Sequence, residues 1–276
     1  MPITHVTEAG DPRLIPYCGL RDGVLRRYGD QPPTSGHPGG ASLFLAESEG
    51  IVRRAVLVGH RVVSVLADAS SAQRLAEVLP PTVEVLIAPA ELIAAVSGLG
   101  VHRGALALVA RPAVRTVADL VADARRVVVL ERVSNPVNIG LIARSAAGLG
   151  CDALLLDAQS ADPLYRRAVR ASMGATLSLP WARADTATGL VEALNGAGFR
   201  TVALTLTAGS LPLRSVGTHE RTALVLGSEG NGLSLAAEQA CTVRATIPMR
   251  ASTGVDSLNV SAAAAIACFS LFAPPQ

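Results

Sequence analysis

The sequence predicts an α/β protein in two parts, the second built on a mostly parallel sheet. Short runs of Val, Leu, Ile and Ala alternate with segments of helical length. Those runs are apolar at successive positions, as strands covered on both faces are. The alternation breaks once, at Arg111-Pro112-Ala113-Val114-Arg115, and then restarts. Together these point to a small N-terminal α/β unit over residues 1–113 and a larger one over 114–276. A chain of 276 residues is long enough for a sizeable core in each.

Residues 1–30 are polar and Arg-bearing and predict partial helix, and Gln31 to Gly40 is a loop by its Pro, Gly and Ser content. Leu43 to Leu45 follows as a strand, Ile51 to Val58 as a short helix and Val62 to Ala67 as a strand. A helix near Ser71 to Val78, strand Val83 to Ala88, helix Glu91 to Val96 and strand Ala105 to Ala110 complete the first unit. The second opens with strand Val127 to Leu130, helix Ile139 to Ala147 and strand Ala153 to Leu156. Next come helix Pro163 to Met173, strand Leu177 to Leu179, helix Thr186 to Asn195, and strands Thr201 to Thr205 and Ala223 to Leu226. Helix Leu233 to Ala240, strand Val243 to Ile247 and an Ala-rich helix close the chain.

Composition excludes several classes. Half the residues are hydrophobic and 17% are charged, which is globular rather than disordered. The net charge of +2 does not by itself announce a nucleic-acid partner. All 24 basic residues are Arg. Without Lys there is no P-loop and no Schiff-base chemistry. Cys18, Cys151, Cys241 and Cys268 lack paired spacing, against both a metal site and a disulfide framework. The apolar stretch Val260 to Ala273 is shorter than the ~20 residues of a membrane span, and the N-terminus lacks a signal-peptide pattern. A cytosolic protein, away from membranes, is expected.

Three polar stretches lie just beyond strand ends, where open α/β sheets place ligands. The first runs from Glu131 to Ala146, with Asn138 expected at the helix N-cap and Arg144 inside the helix. The second, Leu226-Gly227-Ser228-Glu229-Gly230-Asn231-Gly232, has its glycines in the order G-x-x-G-x-G, unlike the dinucleotide fingerprint. Glycines let a ligand approach the backbone closely, while Glu229 would repel a pyrophosphate, so a neutral or cationic ligand fits better. The third joins Ile247-Pro248-Met249 to Ser257-Leu258-Asn259-Val260-Ser261. Its Ser and Asn either cap the last helix or face a ligand at the helix N-terminus.

The motifs N-x-G-x-x-x-R-S-A from Asn138, L-V-L-G-S-E-G-N-G-L-S from Leu224, and I-P-M followed by S-L-N-V-S resemble those of the SpoU (TrmH-like) RNA ribose methyltransferases of the SPOUT superfamily. They occur in the family's order and cover about residues 120–272. The resemblance implies an S-adenosylmethionine-dependent 2′-O-methyltransferase of structured RNA, rRNA before tRNA, with a C-terminal trefoil knot and a homodimer through the catalytic domain. By the same resemblance Leu226, Gly227, Gly230, Ile247, Met249 and Leu258 hold the cofactor. Arg144 matches the family's proposed base, with Asn138, Glu229, Ser257 and Asn259 organising the site. A guanidinium is cationic at any ordinary pH. Arg144 therefore needs strong desolvation to act as a base, or else holds a phosphate and lowers the hydroxyl pKa. The stretch Arg250 to Asp256 is slightly longer than the family's usual loop.

The N-terminal unit resembles, more loosely, the small L30e-like RNA-binding domain carried by many members, with Val101-His102-Arg103-Gly104-Ala105 similar to its H-x-G turn. Arg53, Arg54, Arg61, Arg74 and Arg103 are candidates for a phosphate surface, or else a solvated face. Aromatics are only 3%, so shape and phosphate recognition suit the chain better than base stacking. A non-catalytic, ribosome-associated RNA-binding protein of the same fold is the alternative. A nucleotide-binding oxidoreductase is disfavoured by the glycine order and Glu229.

Overall fold

The computed structural model describes residues 1–18, 22–27, 42–98, 104–249 and 257–272. The chain divides into two units, Met1–Ala113 with Leu164–Leu177, and Val114–Pro163 with Ser178–Gln276.

In the first unit, β1 (Ile3–His5), β2 (Leu43–Glu47), β3 (Val62–Ala67), β4 (Glu84–Ile87) and β5 (Ala105–Ala110) form one sheet in the order β1-β4-β3-β5-β2. Strands β1, β4 and β3 are parallel, whereas β5 runs antiparallel to both β3 and β2. The sheet is therefore mixed, a polarity that the alternation of elements left open. An apolar run buried on both faces reads the same in either direction, so periodicity does not carry strand polarity. The helices are α1 (Asp22–Arg27), α2 (Glu49–Leu57), α3 (Ala69–Leu75) and α4 (Ala90–Ser97). Side-chain caps start two of them: Ser48 Oγ accepts from Ile51 N at 3.4 Å and Asp68 Oδ1 from Ser71 N at 2.7 Å. Leu14, Tyr17, Leu45, Leu66, Leu86 and Ile93 share one buried cluster, and the Tyr17 hydroxyl bonds Ser64 Oγ at 2.7 Å.

The segment Leu164–Leu177, placed by sequence in the second unit, belongs to the first. Its α7 (Arg166–Ala171) sends Arg166 Nε to Glu47 Oε2 at 3.1 Å and Nη1 to the Ser97 carbonyl at 3.1 Å. Arg170 adds an ion pair to the buried Glu47 at 3.3 Å. The strand expected at Leu177–Leu179 is instead the end of α8 (Ala175–Ser178), and β8 follows at Trp181–Arg183. Gly174 takes a φ of +79° and restarts a helical turn, so the Leu-Ser-Leu alternation there imitates a strand without pairing as one.

The second unit holds seven parallel strands: β6 (Arg126–Leu130), β7 (Ala153–Leu156), β8, β9 (Arg200–Leu204), β10 (Leu211–Pro212), β11 (Thr222–Leu226) and β12 (Val243–Thr246). Their order is β10-β12-β9-β11-β6-β7-β8. Helices α5 (Val117–Asp123), α6 (Pro136–Gly148), α9 (Ala187–Gly196), α10 (Leu235–Ala240) and α11 (Val260–Phe272) cover them. The sequence pattern passes over α5; Thr116 and Asp119 form a capping box at its start. Val127, Val129, Leu155, Leu190, Leu194 and Val225 are buried together on one face of the sheet. On the other, α11 packs on α6 and β11. Among the described residues no helix is long and apolar enough to cross a membrane, and no His, Cys, Asp and Glu cluster could hold a metal ion.

Candidate functional site

Parallel strands deliver their C-terminal ends to one edge of the sheet, and the loops leaving those ends can share a ligand. Here the segments after β9, β11 and β12, with the start of α11, surround a cavity of about 750 Å³. Leu226, Gly227, Gly230, Ile247, Met249 and Leu258, singled out from the sequence, all line it. So do Glu229, Ser257 and Asn259.

The glycine loop is shaped by one close approach. A Cβ on Gly227 would lie 2.1 Å from the Gly232 carbonyl carbon and 2.3 Å from Leu233 N. The loop folds back on itself here, and Gly232 N donates to the Ser228 carbonyl at 3.0 Å. Gly230 and Gly232 take φ of +88° and +63°, which a side chain would strain. Two residues at the end of β6 brace this loop from outside. The buried Glu131 accepts at Oε2 from Ser234 N at 2.7 Å, and Arg132 Nη2 donates to the Gly232 carbonyl at 3.5 Å. Ser234 in turn caps α10, accepting at Oγ from Ala237 N at 3.2 Å.

One carboxylate oxygen ties the three motifs together. Glu229 Oε1 accepts from Asn138 Nδ2 at 2.7 Å and from Asn259 Nδ2 at 2.5 Å. Asn259 Nδ2 also reaches Asn138 Oδ1 at 3.4 Å. The other end of the Asn259 amide accepts from Ser261 N at 2.9 Å and Ser261 Oγ at 2.6 Å. Asn259 thus caps α11 and also lines the cavity. Asn138 is not the N-cap of α6, as its place in the sequence suggested. That position belongs to Asn135, whose Oδ1 accepts from Val137 N at 2.9 Å, with Pro136 as the first helical residue. Starting the helix one turn early turns Asn138 inward, where it is 4% exposed and meets Glu229.

Arg144 stands apart from this cluster. It is exposed on α6, does not line the cavity, and shares a stripe with the exposed Val137 and Leu141. The stripe lies on a helix packed against α11, whose Ile266 and Phe269 are 44% and 65% exposed.

Sequence reasoning missed one wall of the cavity. Thr205 and Thr207, after β9, and Glu238, on α10, also line it. Their signal was faint: hydroxyl residues straight after an apolar strand, and a carboxylate on a short helix.

In the first unit the candidate RNA-contact arginines are scattered in role. Arg53 donates to the Arg74 carbonyl at 2.9 Å and pairs with Glu77 at 3.3 Å, while Arg74 pairs with Glu49 at 2.8 Å. Arg54 and Arg61 are exposed, and Arg61 borders a cleft of about 430 Å³ with His60 and Arg111. His102, Arg103 and the stretch Arg250–Asp256 lie outside the described residues.

The model of the SpoU rRNA Methylase family matches residues 125–269. A curated relative, an uncharacterized tRNA/rRNA methyltransferase of Mycobacterium tuberculosis, is 40% identical over 277 residues, spanning 98% of this chain and 91% of the relative. Among solved structures, an rRNA methyltransferase from Sinorhizobium meliloti superposes with a TM-score of 0.78 at 24% identity, over 98% of this chain and 97% of the other, a likeness of fold. The SpoU methyltransferase AviRb from Streptomyces viridochromogenes, solved in complex with the cofactor AdoMet, gives 0.74 at 26% identity over 94% and 95% of the two chains.

Proposed function

The chain belongs to the SpoU rRNA methylase family, and on that premise we propose that it is an RNA methyltransferase that transfers a methyl group from S-adenosylmethionine to a ribose 2′-hydroxyl of structured RNA, rRNA before tRNA. The observation that carries the reading is the Asn138–Glu229–Asn259 junction at the rim of the cavity. It makes one unit of three motifs that lie 91 and 30 residues apart along the chain.

The cavity suits this cofactor. Its volume of about 750 Å³ falls within the range of about 300–1,000 Å³ usual for small-molecule sites. Glu229 disfavours a pyrophosphate while tolerating a sulfonium cation. Leu226, Gly227, Gly230, Ile247, Met249 and Leu258 would hold the ligand, which supplies an already activated methyl group.

What remains for the protein is alignment and the removal of a hydroxyl proton. Arg144 is exposed rather than desolvated, so the role of base is not assigned to it. It acts instead as a fixed cation, holding the phosphate next to the target ribose and favouring the alkoxide, while the proton leaves to water. Asn138, Glu229, Ser257 and Asn259 set the start of α11 and the glycine loop against α6, and so place Arg144 relative to the cavity.

The exposed α6–α11 face, with Val137, Leu141, Ile266 and Phe269, supports a homodimer in which this face is buried. The return of the chain from β12 to pack α11 on α6 and β11 is consistent with a trefoil knot. The first unit, in the L30e-like reading, contacts the RNA through exposed arginines such as Arg54 and Arg61.

The test is methyl transfer from labelled S-adenosylmethionine to cellular RNA, followed by alkaline hydrolysis. Label retained in alkali-resistant dinucleotides is expected. Label in mononucleotides would move the chemistry to a base, and no transfer with cofactor binding absent would remove the reading altogether. Primer-extension mapping in a deletion strain then locates the nucleotide.

A further inference from the structure

Glu238 is a charged side chain 7% exposed, yet it lines the cavity. Its Oε2 accepts two hydroxyl hydrogens, from Thr205 at 2.9 Å and from Thr207 at 3.1 Å. Oε1 faces the Arg244 guanidinium at 3.8 Å, near enough for charge attraction and too far for a hydrogen bond. Buried carboxylates are costly unless their lone pairs are used. Two threonines and a neighbouring cation engage this one, and it still lines the cavity.

We propose that Glu238, held by Thr205 and Thr207, reads the vicinal ribose diol of the nucleoside ligand in this cavity. The inference rests on the cofactor assignment above. Hydroxyl donors are what a carboxylate recognises, and acidic side chains meet ribose hydroxyls in dinucleotide folds.

Calorimetric titration of S-adenosylhomocysteine and its 2′,3′-dideoxyribose analogue into the full chain and into Glu238→Gln tests this. The full chain should prefer the parent ligand by about 10- to 100-fold, the worth of one to two charge-assisted hydrogen bonds. Glu238→Gln keeps an acceptor for the threonines and should bind the parent about tenfold more weakly, with the dideoxy analogue unchanged. Equal loss for both ligands, or no loss for either, would overturn the proposal. Thr207→Val should repeat the selective loss in weaker form, with the thermal midpoint checked alongside. Absence of binding by S-adenosylhomocysteine to the unaltered chain would instead overturn the cofactor assignment, and this inference with it.

Discussion

Replacing Gly227 by Ala puts one methyl group where the loop crosses itself. The new Cβ would lie 2.1 Å from Gly232 C, 2.3 Å from Gly232 O and 2.3 Å from Leu233 N. All three are backbone atoms, so no side chain can swing away, and the loop must withdraw by roughly 1–1.5 Å to reach contact distance. That movement breaks the 3.0 Å bond from Gly232 N to the Ser228 carbonyl and pulls on the brace from Arg132. Overpacking of this kind costs about 1–3 kcal/mol, and the lost hydrogen bond about 1 more. Against a stability of about 5–15 kcal/mol the chain stays folded, with a midpoint lower by about 5–15 °C. The cavity suffers more, because the displaced loop carries Gly230 and Glu229 in its wall. Affinity for S-adenosylhomocysteine should fall at least about 100-fold by calorimetry, since a displacement near 1 Å misplaces a whole set of contacts. Gly230→Ala is the control. Its Cβ meets nothing within 4 Å, so only the strain of φ +88° applies, about 1–3 kcal/mol. Wild-type affinity in Gly227→Ala would refute the reasoning, as would an equal effect of the two substitutions on binding.

Four further outcomes are expected. Arg144→Ala should lower methyl transfer at least about 100-fold with S-adenosylhomocysteine affinity within about twofold, because Arg144 does not line the cavity; lost cofactor binding would contradict this. Glu229→Ala strands the buried Asn138 amide without its acceptor and should cost about 1–3 kcal/mol in denaturant unfolding, with Glu229→Gln losing less because its amide oxygen still accepts. Phe269→Glu, at a site 65% exposed, should leave the thermal midpoint of the monomer nearly unchanged and abolish the proposed dimer in light scattering; a dimer that persists places the interface elsewhere. Burial pushes the thiols of Cys151 and Cys241 up to about 12 and those of Cys268 and Cys18 upward. Unfolded thiols ionise near 8.5 while the native ones hold their protons, so this contribution destabilises the fold as pH rises above about 8.5. At pH 8 a thiol reagent should label the native chain slowly, Cys18 first, and all four in urea; fast native labelling of Cys151 or Cys268 would count against the burial.

Much of the site was legible because its chemistry is local. The glycine loop, the I-P-M turn and the S-L-N segment each announce a departure from strand or helix within a few residues, and the motif order pointed to the family. Asn138 was read one turn wrong because Asn135 and Pro136 offered a second, equally ordinary helix start, and only packing decides which asparagine turns inward. The Thr205–Thr207–Glu238 wall escaped notice for a different reason. Glu238 lies 31 to 33 residues from the two threonines in the chain, and none of the three belongs to a dense motif.

By itself the sequence determined the α/β class, the strand–helix alternation of the second unit and the family, since buried parallel strands and glycine loops impose their residue types wherever they occur. Tertiary structure alone decided the mixed direction of the first sheet, the siding of Leu164–Leu177 with that unit, and the meeting of Asn138, Glu229 and Asn259 on one oxygen. Apolar periodicity reports that a segment is buried, but not which neighbour covers it or in which direction that neighbour runs. Those choices are made by pairings distant in the chain, such as Glu47 with Arg166 across 119 residues, and no local pattern encodes them.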